Sequence, residues 1–328
     1  MSARTRVLSI AGLASALAVA AIVGATLLQS RSAGPGTAAG GSVTKPRAGA
    51  PPLDLDFGVR ADAEARALGR AAALYRNGRR QQAGRIFARY HSLPAQIGAA
   101  FAAWPDGGLD TLKRLVASHE RSALAELHLG WAYYWSGRNA DAVRAWSRAV
   151  QVEPDSPSAV SASDVLHPSF FPGLPYIVTT LEPPPGVTSL PAAQELRALQ
   201  RAAAGSDANA KVLYGLALWN LRRPLSAERE FRAAAALAPQ DPTALTAAAV
   251  GSFSKARPVL AFSRLGPLTG RFPRAAVVRF HLGVLLLWTR ELGKARKQLQ
   301  LAASLDPRSP YATQARRLLA ALGSTGTK

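Results

Sequence analysis

Histidine is the side chain best placed for acid–base or metal chemistry near neutral pH, and the chain has five. His91, His119, His128, His167 and His281 do not stand at the spacings that gather metal ligands on one helix or loop. There is no Cys, which removes thiolate zinc sites, thiol nucleophiles and disulfides. No Gly-x-Ser-x-Gly elbow, His-Glu-x-x-His helix or Gly-rich phosphate loop following a strand occurs. The sequence therefore predicts no catalytic residues, no metal and no cofactor, and a protein that is not an enzyme. His128 and His281 fall at the same position of a repeating unit described below, and a packing role is expected for both.

Charge offers a different kind of chemistry. The formal net charge is +20, from 33 Arg and 7 Lys against 20 acidic residues. Such an excess attracts anionic polymers and lipid head groups. Arg76, Arg79, Arg80, Arg85 and Arg89 are the densest cluster, and a surface-proximal cation contributes about 1 kcal/mol toward anionic lipid. The aromatics fall away from the Arg clusters, so stacking on bases has no platform. Nucleic acid is not expected as a partner, and neither is a small-molecule substrate.

The elements that position these residues follow from periodicity. Pro239, Pro273 and Pro307 are 34 residues apart, as are Ala227, Ala261 and Ala295, and Phe231, Leu265 and Leu299. Gly215, Ala249 and Gly283 keep the same period, and so do Ala234, Leu268 and Ala302. Ala227, Phe231 and Ala234 are spaced i, i+4, i+7, one face of a helix. Small residues let two helices approach, and a large residue between them fills the gap. Pro closes each unit. Pro239-Gln240-Asp241-Pro242 then restarts a helix, with Asp241 as N-cap and Pro242 in the first turn. Pro307-Arg308-Ser309-Pro310 and Pro154-Asp155-Ser156-Pro157 repeat the device.

This pattern resembles the tetratricopeptide repeat (TPR). The unit beginning at Ala123 fits best, with Leu129-Gly130, Tyr133, Gly137, Ala142, Trp146, Ala149 and Pro154 at the family's offsets. Glu126 departs from the pattern, standing where the family usually has Trp. A weaker unit covers 62–91, a shortened helix pair 94–119, and a last helix 311–322 is expected as a cap. The fold class predicted is all-α: a TPR-like solenoid of antiparallel helix pairs over 61–323, stacking into one continuous rod. An insertion near 167–191 carries Phe170, Phe171, Tyr176, Ile177 and seven Pro. That Pro content excludes a helix through most of it. It is expected as a self-ligand filling the groove or as a binding loop.

The resemblance also implies a site. In the family, the first helix of each unit lines the concave face. Carried over, the partner-binding groove would comprise Leu127, Trp131, Tyr134 and Trp135; Val212, Leu216, Trp219 and Asn220; then Phe253, Phe280, Val284 and Trp288. It is apolar and aromatic, so a protein or peptide partner is expected, held as an apolar or amphipathic segment. Packing of these residues against neighbouring helices or the insertion is the competing expectation.

Upstream, an uncharged stretch from Val7 to Leu28 follows Arg4 and Arg6. Its length meets the roughly 20 residues of a spanning helix. Residues 1–29 are read as a single transmembrane anchor, with secretion after signal cleavage as the alternative. The charge distribution leans toward an extracytoplasmic solenoid. Residues 30–60, rich in Gly, Ala, Ser and Pro at their start, read as a flexible linker, and 324–328 as a disordered tail.

Overall fold

The structure, a computed structural model, describes residues 45–324. The proposed anchor at 1–29 lies outside them, as does the end of the tail. Among the described residues no helix is long and apolar enough to cross a membrane, and every regular element is helical. The helices divide into two compact units, 45–166 and 167–324. The first unit closes with a helix that ends at Leu166, and the second begins with Pro168 and the insertion.

The first unit consists of α1 (Ala63–Arg76), α2 (Arg80–Phe87), α3 (Leu93–Ala102), α4 (Gly108–Ser118), α5 (Ala123–Trp135), α6 (Asn139–Val152) and α7 (Pro157–Leu166). Successive helices pack as pairs α1/α2, α3/α4 and α5/α6, with α7 laid on the last pair. The second unit opens with the insertion, mostly extended with one 3-10 turn at Val187–Ser189, and α8 (Ala192–Ala203). It continues with α9 (Ala208–Asn220), α10 (Pro224–Leu237), α11 (Pro242–Gly251), α12 (Val259–Leu265), α13 (Leu268–Arg271), α14 (Ala276–Trp288), α15 (Leu292–Leu305) and α16 (Pro310–Ser324). Here the pairs are α9/α10, α11 with the broken α12–α13, and α14/α15, again followed by one closing helix, α16.

The periodic columns are the pair interfaces. Ala227, Phe231 and Ala234 are wholly buried, as are Ala295, Leu299 and Ala302. The small partners are sterically required. A Cβ on Gly130 would lie 2.3 Å from Trp146 Nε1, on Gly215 2.5 Å from the Phe231 ring, and on Gly283 2.8 Å from Leu299 Cγ. The restart signals work as their chemistry dictates. The Asp241 carboxylate accepts from the backbone N–H of Thr243 (2.9 Å) and Ala244 (3.2 Å). Ser156 and Ser309 accept from the N–H of Ala159 (3.1 Å) and Ala312 (3.2 Å). Glu126, the departure from the family pattern, is buried and meets Arg148 Nε at 3.1 Å; burial pushes its carboxyl pKa up, and the Arg148 charge opposes that shift.

Candidate peptide-holding grooves

The first helices of each unit present one face to an extended stretch of the same chain. In the first unit, 51–57 has no regular structure and runs across α1, α3 and α5, burying Leu53 in their core. The linker reading of 30–60 therefore does not hold over this stretch. Its Gly and Pro prevent a helix, but an extended chain can still satisfy its main chain on fixed side chains. In the second unit, 174–184 of the insertion takes the equivalent place. Phe171 and Val178 enter the core of α11, α14 and α15, while Leu174, Ile177 and Leu181 reach the cluster around α9 and α10.

The bonds that hold the two segments correspond one by one. Arg47 N–H donates to the Trp135 carbonyl (2.8 Å), and Phe171 N–H to the Trp288 carbonyl (3.4 Å). Tyr75 Oη donates to the Pro51 carbonyl (2.6 Å), and Trp219 Nε1 donates to the Pro175 carbonyl (2.6 Å). Asp54 N–H donates to His128 Nε2 (3.2 Å), and Val178 N–H donates to His281 Nε2 (3.0 Å). Each of these segment positions recurs 124 residues later, and His128 and Trp135 recur 153 residues later. Gly49 and Gly173 stand at matching positions with φ of 82° and 77°, a left-handed backbone that glycine adopts without penalty.

The two imidazoles are held alike. His128 Nδ1 lies 2.7 Å from the Leu124 carbonyl and His281 Nδ1 2.7 Å from the Val277 carbonyl. A carbonyl can only accept, so Nδ1 carries the proton and Nε2 offers its lone pair to the segment. Both rings are fully buried, and burial pushes both pKa values down, that of His281 to about 4. Phe280 and Tyr311 flank His281 at ring separations of 5.0 and 6.0 Å. Phe101 lies beside His128 at 5.4 Å, and the Asp54 carboxylate opposes the burial shift there.

The residues assigned to the groove from the sequence lie on these same helix faces. Leu127, Val212, Leu216, Trp219, Phe253, Phe280, Val284 and Trp288 are buried. Trp131, Tyr134, Trp135 and Asn220 are partly exposed. Tyr134 also carries Arg47, whose guanidinium sits 3.4 Å from the ring centroid and donates to the Tyr134 carbonyl. Tyr176 of the insertion packs on Phe280 and Trp288 at ring separations of 6.0 and 5.7 Å. Tyr75, His128, His281 and the stretch around Gly49-Ala50-Pro51 are not among the groove residues read from the sequence, whereas the insertion holding Gly173-Leu174-Pro175 is expected there as a self-ligand or binding loop. A signal existed: His and Trp seven residues apart occur on both α5 and α14, and Gly-x-Pro occurs before each set of helices.

The Arg cluster divides. Arg76, Arg79, Arg85 and Arg89 are exposed, whereas Arg80 turns inward and donates to the carbonyls of Trp104 and Ala102. Among the described residues no group of three His, Asp or Glu side chains could hold a metal ion.

Helix pairs crossing at Gly and Ala, with a 34-residue period and a closing helix, give each unit a TPR-like helical-repeat architecture. No protein-family model matches the sequence, and no curated protein does. Solved structures that it matches include TPR proteins. YrrB, described as a TPR protein with an unusual peptide-binding site, is 13% identical, covering 64% of this chain and 99% of that one at a TM-score of 0.31. Yeast Tom70 is 12% identical, covering 87% of this chain and 53% of that one at 0.37. The TPR2AB domain of yeast Sti1, solved in a complex with pHSP90, is 12% identical over 80% of this chain and 98% of that one, at 0.31.

Proposed function

We propose that this protein is a membrane-held TPR scaffold, not an enzyme, that gathers protein or peptide partners on the first-helix faces of its two units. The observation that supports this reading is that each face already holds an extended chain through its own side chains. A surface that satisfies the main chain of one extended segment can satisfy another. The apolar stretch 7–28 supplies the tether, and the helical units lie on the extracytoplasmic side. A chain lacking residues 1–29 should leave the membrane pellet. In crosslinking pull-downs from native membranes, Trp131→Ala should remove a defined subset of partners while circular dichroism stays unchanged. An identical partner set from wild type and variant would count against the groove.

A second reading follows from the four exposed arginines at the end of α1 and along α2, where the first unit would contact anionic lipid or another anionic polymer. Liposome flotation should show the 45–328 chain on vesicles with anionic lipid and not on neutral vesicles. Replacing Arg76, Arg79, Arg85 and Arg89 with Gln should abolish that difference. Equal flotation on both vesicle types removes this reading.

A further inference from the structure

From the two self-held segments we infer that each groove is a reader of one main-chain pattern, and that its partner ligand is an extended segment carrying Gly-x-Pro followed two residues later by Leu or Ile. The inference rests on the groove reading above and specifies what the groove takes. The two resident segments are Arg47-Ala48-Gly49-Ala50-Pro51-Pro52-Leu53-Asp54 and Phe171-Pro172-Gly173-Leu174-Pro175-Tyr176-Ile177-Val178. They share only Gly at the third position, Pro at the fifth and a branched aliphatic residue at the seventh.

Each shared feature has a contact or a backbone reason. The third residue has φ near +80°, where a side chain is strained and a β-branched one most of all. No atom lies within 4 Å of a Cβ built on Gly49 or Gly173, so the requirement is conformational and owes nothing to a clash. The fifth residue gives its carbonyl to an aromatic donor from the first helix pair of its unit, Tyr75 Oη or Trp219 Nε1. Pro fits there because it fixes an extended backbone and has no N–H to satisfy. The seventh residue enters the helix cluster: Leu53 is buried and Ile177 packs on it.

The contacts shared at the two ends of the segments are made through main chain. The N–H of the first residue meets the carbonyl of Trp135 or Trp288, and the N–H of the eighth meets His128 or His281 Nε2. The side chains at these positions differ, Arg47 lying on Tyr134 and Asp54 accepting from Ser161 where Phe171 and Val178 are buried among apolar residues, yet the same two N–H bonds form. The only residue excluded at both is Pro, which lacks the N–H. A histidine locked with Nε2 as acceptor is therefore a main-chain reader, and its recurrence in both units goes with the recurrence of the pattern.

The resident segment competes with any incoming one at an effective concentration of about millimolar, as expected for a tethered ligand. Opening a groove therefore needs a change in the segment itself, and Gly49→Val or Gly173→Val supplies one that leaves the helices untouched. The probe is a labelled synthetic peptide of residues 45–58, titrated into the full chain. Binding to Gly49→Val and to Gly173→Val should each be about tenfold or more tighter than to wild type. The same peptide with Val at its Gly49 position should bind each variant about tenfold more weakly. Hydrogen exchange should show lost protection at the Asp54 amide in Gly49→Val and at the Val178 amide in Gly173→Val.

Unchanged protection in either variant overturns the inference, because the glycine conformation would then not be required. Equal binding of the Gly and Val peptides overturns it too, as does binding to Gly49→Val alone, since the grooves would then read different things. Tyr75→Phe in the Gly49→Val background should weaken the peptide without affecting its binding to Gly173→Val, and no change there also counts against the reading. If the peptides fail these tests while Trp131→Ala still removes partners in the pull-down, the grooves bind by another pattern and only this inference falls.

Discussion

Truncating Trp219 to Ala is expected to destabilise the 167–324 unit by about 3–5 kcal/mol, the range for removing a large buried aromatic side chain. Two effects combine. The indole is 3% exposed and lies against Phe231 at a ring separation of 6.3 Å, so its loss opens a cavity where α9 meets α10. Its Nε1–H is also the donor to the Pro175 carbonyl, and removing it leaves a buried acceptor unpaired. Trp219→Phe separates the two, since it keeps much of the ring and loses only the bond, at a cost of about 1–3 kcal/mol. Urea denaturation gives the stabilities, and hydrogen exchange across 174–184 reports whether the segment has left. If Ala and Phe cost the same, packing of the indole is not what holds this unit. If the amides of 174–184 keep full protection in both variants, the Trp219 bond does not position the segment.

Acid should loosen the same unit through His281. The buried imidazole has its pKa pushed down to about 4, whereas an unfolded His takes its proton near 6.5. The neutral ring thus favours the folded form, and its contribution is complete above about pH 6.5. It falls by about 1.4 kcal/mol per pH unit as pH drops through the window to about 4. The structural cause is direct. A proton on Nε2 would place an N–H against the Val178 N–H, between Phe280 and Tyr311. The Val178 amide should therefore lose protection between pH 7 and pH 5, after correction for intrinsic exchange. His281→Gln, whose side-chain oxygen can still accept from an N–H, should lower the amount of stability lost over that interval by about 2 kcal/mol. An unchanged loss in the variant would show that another group carries the acid response. In the first unit burial also lowers the His128 pKa, but the adjacent Asp54 carboxylate stabilises its protonated form, so the response there should be smaller.

The two units are alike in a way that the 34-residue period does not express. The period runs through the helix-pair interfaces, where Ala227, Phe231 and Ala234 recur as Ala295, Leu299 and Ala302. The segments recur at a longer spacing and have no phase relation to the helices. The unit following Pro157 in sequence reads as a broken repeat, yet α7 and α16 both close a set of three helix pairs, each capped by a buried Ser before Pro. What reads locally as a failed repeat is the end of a unit.

From sequence alone came the all-helical class, the pair spacing, the crossing residues Gly130, Gly215 and Gly283, and the capping role of Asp241. These depend on contacts within about one unit of chain, and such contacts leave a periodic trace. The insertion was legible as non-helical and apolar for a similarly local reason, its proline content. Tertiary structure decided what fills the grooves. The Asp54–His128 bond spans 74 residues and the Val178–His281 bond 103, and an extended segment bound through its main chain prints no pattern of side chains. Composition reads 30–60 as a linker because Gly, Ala, Ser and Pro bring little to a core; groups on α1 and α5 give the backbone of 47–54 its partners.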